Sequence, residues 1–324
     1  MNDEQPEVLI ARRLVDRLGV RPPILVEDIA REYADVEELH LPFEFDGISL
    51  FLKHRYRRPK IILNLNRPSR RRRFTLAHEL GHVLIPWHVG TIVDQADLES
   101  TEFDDGYAEL EAQANRFASE LLMPTSWVRG VVAEYEEPVD VMDHVVEAAR
   151  VSHTAACRKV LQNLAPGNMF IHVADDGEVI SSGRSEGTIA SPPPRGRVID
   201  PEHVFVEVGN VRSLEGSVGN YYWWTFPRSI DVGEFASPKE WRELLEEMLA
   251  EIELPRGKDA AKFKGSLNGV IAYANAQIKG TERSRGSIHS ACLQRLYSNP
   301  DFESFCAHPL FDEFLRKRID VWFR

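Results

Sequence analysis

The sequence predicts an α+β chain of two domains, and three observations carry that expectation. Short apolar, β-branched runs at 39–52 and 60–65 precede a series of strongly periodic helical segments that continue to residue 164. Ala165-Pro166-Gly167 then interrupts the pattern. Beyond it, residues 166–235 read as mostly β and 236–324 as mostly α, so the boundary falls between 1–165 and 166–324. At 324 residues the chain is long enough to bury two cores.

The elements follow in order. Glu7 to Gly19 is an amphipathic helix, with Val8, Ala11, Leu14, Val15 and Leu18 near helical spacing and Gly19 as its stop. A short helix at Glu27 to Tyr33 leads into the two strand-like runs, with Asp46-Gly47 read as a turn. Asn66, Pro68 and Ser69 start a helix that ends before Pro86. Residues 88–106 read as a loop or short strand. The next helix is the most strongly signalled: Leu110, Ala114, Phe117, Ala118 and Leu121 make an apolar stripe from Tyr107 to Leu122, stopped by Met123-Pro124. Two helical runs after Pro138, the second opened by Ser152, resemble a helix-turn-helix in size over 139–164. They read as a packing pair, a protein-docking element or a DNA reader, the last offering only Arg158 and Lys159 as long basic side chains. In the second half a hairpin is expected around Asp175-Asp176-Gly177, then strands at His203–Val208 and Tyr221–Phe226. Ser237-Pro238-Lys239-Glu240 reads as a capping box, with further helices at 263–278, 284–297 and 300–322.

Chemistry concentrates in His78-Glu79-Leu80-Gly81-His82. On a helix the two imidazoles lie one turn apart on one face and can share a metal ion, typically Zn²⁺. Glu79 beside them is placed to take a proton from a water on that ion. A catalytic zinc needs a third protein ligand and an open position. His88 matches the outer H-E-x-x-H-x-x-x-x-x-H spacing, but Ile85-Pro86 stands where such a motif needs a glycine turn. Glu111 is the stronger candidate, because it lies only about 60° from the centre of the apolar stripe at 100° per residue. A carboxylate so near a buried face needs a cation or strong hydrogen bonds. Asn115, one turn later, could orient a ligand imidazole.

These residues resemble the ImmA/IrrE zinc peptidases. The match lies in Phe74-Thr75-Leu76-Ala77-His78-Glu79-Leu80-Gly81-His82 together with the run Glu111 to Pro124, which follows the family pattern E-x-x-A-N-x-F-A-x-x-L-L-M-P. It covers roughly residues 8–164, whereas Ile85-Pro86-Trp87-His88 departs from the family's leucine-rich continuation. The resemblance implies a zincin-like domain, zinc on His78, His82 and Glu111, and Glu79 as catalytic base. It further implies a cytoplasmic endopeptidase that cuts one protein, a helix-turn-helix repressor, in stress or mobile-element regulation. The competing expectation is a non-catalytic metal-binding regulator or antitoxin, its metal closed in by His88. His88, Tyr107, His144 and His153 are the candidate oxyanion donors.

Composition narrows the partners. Net charge is −12, which argues against nucleic acid as a general partner. Ten of the 39 basic residues lie between Lys53 and Arg73, a stretch with no Asp or Glu. This block reads either as a solvated face or as an electrostatic guide for an acidic partner. Three scattered cysteines point to a reducing compartment. The start lacks a signal-peptide pattern and no apolar run approaches the ~20 residues that cross a bilayer, so the expectation is cytoplasmic, with no membrane partner.

Overall fold

The computed structural model describes residues 5–41, 45–95, 105–201, 209–216, 218–231, 237–257 and 259–324. Its mixture of helices and two small four-stranded sheets is α+β. It divides into two compact units, 1–163 and 164–324.

The first unit opens with α1 (Pro6–Leu18), closed by Gly19 in the left-handed conformation, and α2 (Val26–Tyr33). Its sheet contains β1 (Asp35–Leu39), β2 (Phe45–Leu52), β3 (Lys60–Asn64) and β4 (Gly90–Gln95) in the order β1-β3-β2-β4. β1 runs parallel to β3, and β2 is antiparallel to both β3 and β4. Asp46-Gly47 is therefore not a turn but part of β2, where Gly47 pairs with Leu63. The turn signal misleads because both residues answer to tertiary partners. Buried Asp46 forms ion pairs with Arg67 and Arg71, each at 2.6 Å, and Gly47 lies against Thr75 and Glu79.

α3 (Ser69–Leu84) is the central helix, with every residue from Thr75 to Val83 buried. It packs on α2, β2, β3 and α4 (Asp105–Leu122). Gly81 permits the close approach to α4, since a Cβ there would lie 3.0 Å from the Phe117 ring. Pro124 ends α4 and directly precedes α5 (Thr125–Glu134), a helix the sequence does not announce. Its cap comes from the preceding helix: the Glu120 carboxylate accepts the Thr125 N–H at 3.1 Å and its hydroxyl at 2.6 Å. α6 (Pro138–Ala149) and α7 (His153–Leu161) complete the unit, and Ser152 caps α7 by accepting the Ala155 N–H. Lys159 is buried against Glu120, which removes it from any DNA-reading face.

Much of the basic block is answered locally. Arg70 pairs with Glu147 at 2.7 Å, Arg58 with Asp35 at 3.3 Å and Lys60 with Glu37 at 2.7 Å. Lys53 donates to the Val83 carbonyl, where the last turn of α3 favours a cation. The arginines that begin α3 oppose its dipole, and Asp46 and Glu147 offset that cost.

The second unit contains β5 (Asn168–Val173), β6 (Val179–Arg184), β7 (Asn210–Glu215) and β8 (Asn220–Thr225) in the order β6-β5-β8-β7, all antiparallel. The expected strand at 203–208 lies outside the described residues. β7 is a mostly exposed edge strand, so it carries no apolar alternation to reveal it. Tyr222 and Trp224 face the helical core, but the other face of β8 is covered as well: Trp223 stacks on Phe170 and Tyr221 on His172. The helices are α8 (Trp241–Glu251), α9 (Ala260–Gln277), α10 (Arg285–Tyr297), α11 (Glu303–Cys306) and α12 (Phe311–Asp320). α8 starts three residues later than a Ser237 cap would place it, because the capping box is Glu240 with Glu243. The expected helix at 300–322 is broken before Phe311, next to Pro309, which cannot donate within a helix. Cys157, Cys292 and Cys306 are buried and are not joined in disulfides. Among the described residues no helix is long and apolar enough to cross a membrane.

Candidate metal centre

α3 and α4 bring His78, His82 and Glu111 together, with one ligand atom from each within 4.8 Å of the others. The helical spacing does this directly. His78 and His82 project from one face of α3, and their Nε2 atoms lie 3.0 Å apart. Glu111 arrives from α4 with Oε2 3.1 Å from His78 Nε2 and Oε1 3.5 Å from His82 Nε2. Both histidines are buried, and Glu111 is partly exposed.

The residues behind the ligands fix their orientation. Asn115 Oδ1 lies 3.0 Å from His78 Nδ1, so the amide oxygen holds that ring with Nε2 turned inward. His82 Nδ1 lies 2.7 Å from His88 Nδ1, and His88 Nε2 lies 2.9 Å from Gln113 Oε1. His88 thus stands behind His82 with both nitrogens engaged, outside the group of three.

Glu79 is fully buried next to this group in sequence, and Ser49 of β2 donates from its hydroxyl to Glu79 Oε2. The same hydroxyl reaches the Glu79 carbonyl at 3.3 Å. Gly47 makes room for the carboxylate, since a Cβ there would lie 2.6 Å from Glu79 Oε1. The sequence did not indicate Ser49 or Gly47, because their role depends on the register of β2 over α3.

Electrostatics favour ligation. Burial pushes His82 down to about 4, against the opposing pull of Glu111, so its ring is neutral at neutral pH. Burial alone would raise the Glu111 carboxyl, but its contacts with His78 and His82 prevail and hold it at about 2. Burial also lowers His88. Glu111 Oε1 is buried and makes no hydrogen bond. Two inward imidazole nitrogens and an ionised carboxylate with an unsatisfied oxygen suit a divalent cation, and N/O donors of this kind suit zinc.

Residues 31–161 match the family model described as Peptidase_M78, IrrE N-terminal-like domain. The first unit carries an IrrE N-terminal-like domain. Both helices of the metal group lie inside the matched segment. A search of curated proteins finds no match. Among solved structures, a Mycobacterium tuberculosis transcriptional regulator aligns at 14% identity with a TM-score of 0.42, covering 69% of this chain and 87% of that one.

The remaining sequence candidates fall in different places around the IrrE-like domain. Tyr107 lies one turn before Glu111 on α4. His144 is occupied at the α5–α6 junction, 3.1 Å from the Tyr135 hydroxyl and beside the Trp127 ring. His153 opens α7.

Proposed function

We propose that this protein is a zinc-dependent endopeptidase. The observation that carries the reading is the convergence of His78, His82 and Glu111 beside Glu79 within a peptidase-family domain. Among the described residues no fourth His, Cys, Asp or Glu joins the group, as expected of a catalytic rather than a closed structural site. His88 is the residue that a closed site would recruit, and its two nitrogens are committed to His82 and Gln113. That placement weighs against the non-catalytic regulator.

His78, His82 and Glu111 would hold the ion, with Asn115 and His88 orienting the imidazoles. A zinc ion held by these residues would supply Lewis acidity, polarising the scissile carbonyl and bringing the pKa of a bound water down to about 7. Glu79 takes the proton from the attacking water and passes it to the leaving amine. Ser49 restrains the carboxylate by its bond to Oε2. Of the four candidate oxyanion donors, His88, Tyr107, His144 and His153, His88 is engaged with His82 and Gln113 and His144 with Tyr135.

The substrate is a protein, and the family resemblance favours a helix-turn-helix repressor, cut in the cytoplasm during stress or mobile-element regulation. Incubation with repressor-like proteins encoded beside this chain, with and without chelator, tests the reading by mass spectrometry of the fragments. Chelator-sensitive cleavage that disappears in Glu79→Gln, with metal retained, is the expected result. Cleavage that persists in that variant would overturn it.

A further inference from the structure

Trp87, His88 and Gln113 form a hydrogen-bonded chain behind His82, and its chemistry is directional. Trp87 Nε1 lies 2.6 Å from Gln113 Oε1. An indole N–H can only donate, so the amide atom facing it must be the oxygen. The other end of the amide agrees: Gln113 Nε2 lies 3.1 Å from Glu109 Oε1, a carboxylate oxygen that can only accept. Arg116 holds that same oxygen at 2.6 Å. The amide is thus pinned at both ends.

The consequence runs inward. Gln113 Oε1 accepts from His88 Nε2–H at 2.9 Å, which leaves a lone pair on Nδ1 of the neutral His88 ring. The 2.7 Å contact between His88 Nδ1 and His82 Nδ1 then requires His82 to donate. With its proton on Nδ1, His82 presents a lone pair on Nε2, where His78 Nε2 at 3.0 Å and Glu111 Oε1 at 3.5 Å are acceptors too, so the three converge on a point that only a cation or a proton satisfies. We infer that Trp87, His88 and Gln113 are positioning residues that lock His82 in the Nδ1–H tautomer, ready to bind a cation before one arrives. A ring with the opposite tautomer would point an N–H at the cation and would have to exchange its proton first.

The inference rests on the metal reading of the site but not on peptidase activity. Its first test uses metal-free protein: nitrogen-15 NMR of the histidine rings should place the His82 proton on Nδ1 and the His88 proton on Nε2. The second is zinc affinity by chelator competition. His88→Leu removes the acceptor and should weaken binding by roughly 10–100-fold. His88→Asn puts a carboxamide oxygen near the Nδ1 position and should recover most of that loss. Gln113→Leu should mix the His82 tautomers and weaken binding comparably. His82 protonated on Nε2 in the metal-free parent, or zinc affinity unchanged in His88→Leu, would overturn the inference. Loss in both His88→Leu and His88→Asn would assign His88 to packing and overturn it too. Failure of every cleavage assay would count against the peptidase reading alone, since neither measurement needs a substrate.

Discussion

Lys159 Nζ lies 2.6 Å from Glu120 Oε2, a buried ion pair that ties α7 to α4 and to the first turn of α5. Glu120 also accepts from the Thr125 backbone and hydroxyl, and Arg12 of α1 approaches its other oxygen at 3.4 Å. Four helices thus share one carboxylate. Lys159→Met would leave that carboxylate short of its main counter-charge, at a cost of about 3 kcal/mol. Glu120→Gln keeps a carbonyl for the Thr125 cap, so the double variant should cost less than the sum of the two single ones. Urea denaturation of all four proteins measures the coupling, and strict additivity would contradict the pair's role.

The same carboxylate gives a pH signature. Burial raises the Glu120 carboxyl, but Lys159 and the Thr125 bonds outweigh it and hold the group below its ordinary 4.5. A carboxyl depressed in the folded state contributes stability in full above its unfolded pKa, and loses it as pH falls toward the folded value. The parent should therefore lose stability below about pH 4.5 more steeply than Glu120→Gln. Urea midpoints at pH 7, 5 and 3 provide the comparison. Equal slopes would place the acid sensitivity elsewhere.

The site was legible where local spacing encodes it. His78 and His82 share a helix face by their four-residue separation, and Glu111 betrays itself by lying too near an apolar stripe. Residues whose role depends on tertiary approach were not. Ser49 and Gly47 meet Glu79 only because β2 lies across α3, and Gln113 reads in sequence as a polar position between Glu111 and Asn115. α5 was hidden because its cap is the Glu120 side chain, on the far side of a proline. The burial of Lys159, one of only two long basic side chains that a DNA reader could have offered there, was not legible because a long basic side chain on a short helix carries no mark of burial.

Gly47 offers a direct test of how tightly Glu79 is held. A Cβ there would stand 2.6 Å from Glu79 Oε1 and 2.7 Å from Thr75 Cγ2, too close for either atom to stay in place. Gly47→Ala should destabilise the first unit by about 1–3 kcal/mol through overpacking. It should also depress cleavage more than zinc affinity, because the carboxylate moves while the three ligands do not. Thermal unfolding, zinc titration and a cleavage assay on one preparation separate these effects. A variant with parental cleavage would show that Glu79 needs no such fit.

Asn115 should matter to the metal in proportion to its single contact. Its Oδ1, 3.0 Å from His78 Nδ1, is the counterpart on His78 of what His88 is on His82. Asn115→Ala leaves the His78 proton free to sit on either nitrogen, and zinc affinity should fall by roughly 10-fold. Asn115→Asp retains an acceptor oxygen at that place and adds negative charge near the ligand, so it should bind zinc at least as tightly as the parent. Competition with a zinc chelator ranks the three proteins. Binding by the alanine variant equal to that of the parent would mean that helix packing alone orients His78, with the amide a bystander.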